Sequence, residues 1–464
     1  MQQFERPLSR RQLLKYTAGG VAATGLAPIV AACGGGEESG SATSGGTGAS
    51  AEAATLKMWW WGQQEAVGID AWVKDTIAKF KTETGNTIQP TLMSTSNVIP
   101  QFTNAAAAGK PPDIQFLFNG IYHMENVWLG YIAPLQGLVS ADVLENSGAT
   151  NLSVFEGKQY RVGFYSIGFG IAYNKQMFDS VGVDADNPPD DWDGFMDLCD
   201  KLKTKGIQPI GAGVKDGFFG EWYLVNSLTQ NLDSPADALN LFIGELDWTE
   251  PKYHEHWVKL EELTKNGFIN DDVNSLQLYQ GIQLYQTKKA AMALDTTPDI
   301  PNCQKQLGKE NVGYMVMPTF GQGSMAGIPI LDTQGFGIPE EGNEPEIAGQ
   351  FLEFMHSSER IQAMWTTSQQ IPANTTFDAS VVDDPLIKTI QEEWVAGDHN
   401  VYVADLMPTK FWTDAMFVAS QKILAGNMTG DEAGDLAADV TETWKKQNPD
   451  MVENYTTWGE DLSA

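Results

Sequence analysis

From residue 56 onward the chain alternates strand-like and helix-like segments, and that alternation permits few folds other than a sheet covered by helices. Residues 56–61 read as a strand. Ile69, Val73, Ile77 and Phe80 then recur at helical spacing as far as Thr84-Gly85, and 87–93 reads as a second strand. A helix from about Ile99 stops at Gly109 ahead of Pro111-Pro112, and 113–118 reads as a third strand. Strands joined in this order by helices run parallel, so the fold class is α/β.

The pattern then loosens. Residues 157–173, dense in glycine and aromatic side chains, predict closely spaced strands and turns. Pro188-Pro189 announces a helix with Asp191 as its N-cap and Asp193 in its first turn. The acids of 184–193 fit capping better than calcium, because the glycine and ligand spacing of an EF-hand loop are missing. Further strands are expected at 207–210, 290–294, 312–317 and 328–337, with helices at 220–231, 254–266 and 275–287 and a mainly helical last third.

The first 54 residues do not belong to this pattern. Arg10-Arg11 precede an apolar run rich in Gly and Ala, which ends in Val30-Ala31-Ala32-Cys33. The arrangement resembles a twin-arginine export signal with a lipobox, in which Cys33 becomes the lipidated first residue. The run is interrupted by Gly19, Gly20, Gly25 and Pro28 and is too short for a membrane span. Residues 34–54 contain almost only Gly, Ser, Ala, Thr and Glu, and read as a flexible leash with a reach of roughly 25 Å.

Charge excludes one class of partner. The 464-residue chain carries a net charge of −31; loss of 1–32, with four basic residues and one acid, makes this −34 and leaves Arg161 and Arg360 as the arginines. Such a chain repels phosphate backbones, so no nucleic-acid partner is expected. Cys199 and Cys303 lie far apart in sequence, and Cys199 shares an apolar helical face with Phe195 and Leu202, so two buried free thiols are expected.

Catalytic signatures are weak. There is no Gly-x-Ser-x-Gly elbow, no phosphate-binding Gly-x-x-x-x-Gly-Lys loop and no His-Glu-x-x-His helix. His254 and His256 sit at i,i+2 on a helix, point to different faces and read as a solvated helix start rather than a metal site. No metal or cofactor is expected. The unusual investment is tryptophan, with 14 in the chain. Indole rings fill cores, but they also pack against the C–H faces of sugar rings while amides and carboxylates bond the hydroxyls.

Position separates those roles. In open α/β sheets ligands bind beyond the carboxyl ends of the strands. Three such ends carry suitable groups: Trp61, Gln63 and Gln64 after the first strand, Asn119 after the third, and Asp295 after 290–294.

At this point the chain resembles a family, the extracellular solute-binding proteins, family 1, of ABC importers, and is similar to the maltose and maltodextrin-binding type. The segment from Phe102 to Ile114 resembles the family's helix into the third strand. Gly157-Lys158-Gln159-Tyr160 followed by Tyr173-Asn174-Lys175-Gln176-Met177-Phe178 resembles its "GK-Y-V-P…YNK-LF" signature, and Trp192-Asp193-Gly194-Phe195, Lys288 to Met292, Gly313 to Pro318, Gly335 to Pro339 and Ile371 to Asn374 follow in order. The likeness covers residues 55–448.

The resemblance implies a two-lobed periplasmic-binding-protein fold, each lobe a mostly parallel sheet flanked by helices, joined by a hinge of several crossings. These are placed near 164–168, 294–296 and 332–335, with 55–165 plus 296–333 as lobe 1 and 166–295 plus 334–464 as lobe 2. It further implies ligand contacts at Gln63, Gln64, Asn119, Tyr165, Phe219, Trp222 and Trp412, and the third crossing adds Gln334. Many sugar-binding members carry Gly-x-Trp where this chain has Leu294-Asp295-Thr296, and an acid there suits vicinal hydroxyls or an amine.

The expected function is capture of a sugar or oligosaccharide by a monomer anchored to the membrane through Cys33, for delivery to ABC permease subunits, without catalysis. A polyamine or amino-sugar receptor is the alternative within binding, and a secreted hydrolase the alternative outside it.

Overall fold

A computed structural model describes residues 53–148, 151–397 and 399–463. The leader, Cys33 and the leash as far as residue 52 lie outside the described residues.

The first elements follow the sequence pattern closely. Strand β1 (Thr55–Trp60) leads to helix α1 (Ile69–Thr84), strand β2 (Thr87–Leu92), helix α2 (Val98–Ala107) and strand β3 (Ile114–Leu117). Helix α1 buries Ile69, Trp72, Val73, Thr76 and Phe80, and ends at Gly85, whose φ of 80° is the left-handed conformation that a C-terminal glycine supplies without strain. Strands β2 and β3 flank β1, both parallel to it.

The aromatic- and glycine-rich stretch forms one long strand rather than several: β4 (Val162–Asn174), buried along its whole length. After helix α3 (Trp192–Thr204), capped as expected by Asp191 Oδ1 accepting from Gly194 N at 2.8 Å, come β5 (Gln208–Ile210), helix α4 (Phe218–Leu228) and strand β6 (Ala290–Thr296). Strands β7 (Val312–Met315) and β8 (Ile330–Gly337) follow, and the short β9 (Asn400–Val401) pairs with β8.

The nine strands form one mixed sheet, in the order β2-β1-β3-β8-β4-β6-β5 with β7 on β4 and β9 on β8. Parallel pairs occupy its two ends, β1 with β2 and β3, and β5 with β6. The centre is antiparallel: β8 pairs with β3 through 335–337 and with β4 along most of its length, while the far end of β4 pairs with β6 and β7. Strands β4 and β8 therefore run from one half of the molecule into the other and hold both together.

That pairing corrects the expected division of the chain. Residues 296–333, expected in lobe 1, include β7, which pairs with Ile171 to Asn174 of β4 in the same half as β6. The chain thus touches the junction at 294–297 and turns back. Residues 334–368, expected in lobe 2, include helices Pro345–Met355 and Ser358–Ser368, which pack on α1 of the first half. Passage back to the second half runs through Ile371 and Pro372, bonded to the middle of β4, and through β9.

Cys199 and Cys303 are both buried and free. His254 and His256 are buried rather than solvated: His254 Nδ1 lies 2.8 Å from the Trp248 carbonyl, and His256 packs on Trp257, where burial lowers its pKa to about 3. Among the described residues no helix is long and apolar enough to cross a membrane.

Candidate functional site: an aromatic, acid-lined cleft between the halves

A cleft of about 670 Å³ opens where the two halves meet, a volume suited to a small organic ligand. One wall comes from the first half: Trp61 and Glu65 after β1, Thr95 and Ile99 around the start of α2, Phe118 after β3, and Glu125. The other comes from the second half: Asp216, Phe218, Glu221 and Trp222 at the start of α4, with Leu278 and Tyr279. The crossing strands supply Phe169, Asp332 and Gln334, and the later chain Tyr402, Asp405, Thr409 and Trp412.

The aromatic rings are fixed from behind. Trp61 packs against Phe116 and Phe118, and its Nε1 donates to Thr95 Oγ1 at 2.9 Å. Phe169 stacks on Tyr402 with ring centroids 4.3 Å apart and meets Trp222 edge-on. Glu221 locks the opposite wall: one carboxylate oxygen accepts from Tyr402 OH at 2.7 Å and the other from Trp412 Nε1. Pre-set rings lose little freedom when a ligand stacks on them.

Beneath the cleft lies a buried polar hub. Arg161 donates to the Thr333 carbonyl at 2.6 Å, to Thr333 Oγ1 at 2.9 Å and to Ser153 Oγ at 3.0 Å. Asn119 Nδ2 donates to Asp332 Oδ1 at 2.9 Å, and Ser153 Oγ donates to Asn119 Oδ1. The loop after β3 reaches this hub because Gly120 adopts φ 57°, and a Cβ there would stand 2.2 Å from the Asp405 carbonyl oxygen.

Six carboxylates line the cleft: Glu65, Glu125, Asp216, Glu221, Asp332 and Asp405. Among its described lining residues there is no Lys, Arg or His. Burial raises Glu65 well above its usual range, and the neighbouring Asp332 charge adds to this. Asp405 is raised well above its range by burial and again by Asp332, while Asp332 itself is raised by burial against the pull of Arg161. Burial also raises Glu125 and Asp216.

Of the residues singled out in the sequence, the cleft brings together Trp61, Trp222, Gln334 and Trp412. Six others lie elsewhere. Gln63 Oε1 accepts from Asp70 N at 2.9 Å, which ties down the start of α1, and Gln64 Oε1 accepts from Thr95 Oγ1 at 3.2 Å. Asn119 and Tyr165 are wholly buried behind the wall, and Phe219 points to the core between α4 and the sheet. Asp295 sits on the far side of the crossing, where it accepts from Thr296 N at 2.8 Å and lies 3.5 Å from Cys303 Sγ.

The acids at 65, 221, 332 and 405 escaped the sequence reading. Glu221 and Asp405 had a signal: each is a single carboxylate inside an apolar run, FFGEWYLV and VYVADLMP, where an unpaired charge is costly and calls for a reason.

Comparison with known proteins gives the same architecture. Residues 75–389 match the family of bacterial extracellular solute-binding proteins. The chain is 22% identical over 303 residues to the multiple sugar-binding protein of Streptococcus mutans, covering 63% of this chain and 70% of that one. It is 28% identical over 153 residues to the sn-glycerol-3-phosphate-binding periplasmic protein UgpB of Shigella dysenteriae, about a third of either chain (32% of each). The solved structure of a chitin oligosaccharide binding protein superposes with a TM-score of 0.76 at 22% identity, covering 85% of this chain and 99% of that one.

Proposed function

Because the chain belongs to the bacterial extracellular solute-binding proteins, we propose that it captures a sugar or oligosaccharide in the cleft between its halves and hands it to the membrane subunits of an ABC importer. The observation that carries this reading is the cleft itself, in which fixed aromatic faces from both halves stand beside carboxylate and amide acceptors. Rings of this kind cover the apolar faces of a sugar, and acceptors at set positions discriminate its hydroxyls.

The cleft favours a saccharide over a glycerol phosphate. A phosphate dianion facing six carboxylates, with no cation among the described lining residues, would be repelled rather than bound. In this reading no bond of the ligand is broken, the receptor acts as a single copy, and Cys33 holds it to the membrane by its lipid. The closing of one half on the other along β4 and β8 presents the loaded form to the permease.

A screen of the full chain against mono- and oligosaccharides by thermal shift and intrinsic tryptophan fluorescence tests the proposal. A ligand at about 100 times its Kd adds about 2.7 kcal/mol of stability. Failure of every carbohydrate to raise the melting temperature, or chromatographic evidence of saccharide cleavage, would overturn it. Globomycin-sensitive processing, or loss of membrane association in Cys33→Ser, tests the anchor.

A further inference from the structure

We propose that the ligand carries an ammonium group, held between the carboxylates of the two walls; this rests on the cleft being the ligand site. Glu65 and Glu125 stand on the first wall, Asp216 and Glu221 on the second, and Asp332 and Asp405 on the floor. Among the described residues the buried cation close by is Arg161, which lies behind the floor, donates to Thr333 and Ser153, and offsets Asp332 and Asp405 but not the acids of the two walls. Six carboxyl groups therefore share the lining with the aromatic rings, and burial makes their charge costly unless a cation joins them.

A second observation points to what is missing. Glu65 Oε1 and Gln334 Oε1 both belong to residues lining the cleft, are buried, and have no hydrogen-bond partner. Glu65 is 2% exposed and Gln334 4%. The two are joined only by a 3.5 Å contact from Gln334 Nε2 to Glu65 Oε2. Gln334 Oε1 is an acceptor, and Glu65 Oε1 is one whenever a cation holds that carboxyl ionised, so the complementary ligand offers donors in excess. An ammonium has three donors and no acceptor, whereas a hydroxyl brings one donor and two lone pairs.

Charge makes the same selection. As the walls approach, carboxyl groups from both halves come closer, so closure over an uncharged ligand costs either repulsion or proton uptake. A cation between them converts that repulsion into attraction, and the faces of Trp61, Trp222 and Tyr279 add a favourable cation–π surface. An amino sugar with free amines and a linear polyamine share this chemistry.

Isothermal calorimetry on the full chain separates these cases, using matched pairs: the glucosamine trimer against cellotriose and the N-acetylated trimer, galactosamine against galactose, and spermidine alone. The ammonium-bearing saccharide is expected to bind at least tenfold more tightly than its neutral counterpart at about 50 mM NaCl, and that ratio to shrink at about 500 mM. Glu65→Gln is expected to narrow the ratio while leaving the melting temperature within a few degrees.

Equal or tighter binding of the neutral member would overturn the inference and leave the saccharide reading standing. Binding of spermidine with no saccharide of either kind would do the reverse. Absence of binding by any ammonium compound counts against the inference.

Discussion

Two groups of buried carboxylates lie near the junction of the halves, and they differ in what surrounds them. Asp295 and Asp299, beside Cys303, are closed on themselves: Gln286 Nε2 donates to Asp299 Oδ2 at 2.6 Å, Asn302 Nδ2 donates to its Oδ1 at 3.0 Å, and Thr296 N donates to Asp295. Glu65, Glu221, Asp332 and Asp405 face the open cleft, and Glu65 leaves an acceptor without a partner. Residue type is the same in both places. Glu221 and Asp332 also take donors from the protein, so what sets the cleft group apart is the acceptor that the protein leaves unserved at Glu65.

The hub beneath the cleft should give the largest effect. Arg161→Met removes the guanidinium that serves Thr333 and Ser153 and offsets Asp332 and Asp405. Unfolding in urea should show a loss of about 3–5 kcal/mol, as expected when a buried charge loses its partner. A loss under about 1 kcal/mol would show that the hub is not structural.

The closed group makes a pH prediction. Burial lifts Asp299 to about 6, against about 3.9 in an unfolded chain. A carboxyl raised on folding contributes stability that is complete below the unfolded value and lost as pH rises through the folded one. Stability should therefore fall between about pH 4 and pH 6 on account of this group, and Asp299→Asn should make that slope shallower, as read from melting temperatures across the range. The same slope in both proteins would contradict the assignment.

Smaller effects distinguish the cleft from its surroundings. Trp412→Ala removes a half-buried ring that packs on Phe218 and donates to Glu221. Ligand affinity should drop by tenfold or more, about 1.4 kcal/mol, in a fluorescence titration. Gln63→Ala, which takes away one bond to the start of α1, should lower stability by about 1 kcal/mol or less and leave ligand affinity unchanged.

The first five elements were legible because each is local: a 3.6-residue apolar period ended by Gly85 or by Pro111-Pro112, and strands short enough to lie between them. The long strand β4 was not. Its glycines read as turns, yet they are extended positions where other backbone comes close: a Cβ at Gly163 would lie 2.0 Å from the Ser147 carbonyl oxygen, and one at Gly170 would lie 2.5 Å from that of Met315. Once β4 is seen as a strand shared by both halves, 296–333 falls into the second half.

The site was half legible for a related reason. Strand-end position found Trp61 and the level of the crevice, but Asp295 shares that level and lies on the far side of the crossing. A side chain's face depends on register with β4, here Gly170 opposite Asp295, and register is a property of two distant segments. The aromatic helix start found Trp222 but also Phe219, three residues away on the same helix and turned to the core. Glu65, Asp332 and Asp405 become a group only after the loops following β1 and β9 converge on β8, which carries Asp332.

The most direct test of the account is a calorimetric titration of one saccharide ligand into three proteins: the unaltered chain, Trp412→Ala and Asp295→Asn. Capture in the cleft predicts one site per chain in the unaltered protein, at least tenfold weaker in Trp412→Ala and unchanged in Asp295→Asn. Affinity lost in Asp295→Asn and retained in Trp412→Ala would place the ligand at the other group of acids and contradict it.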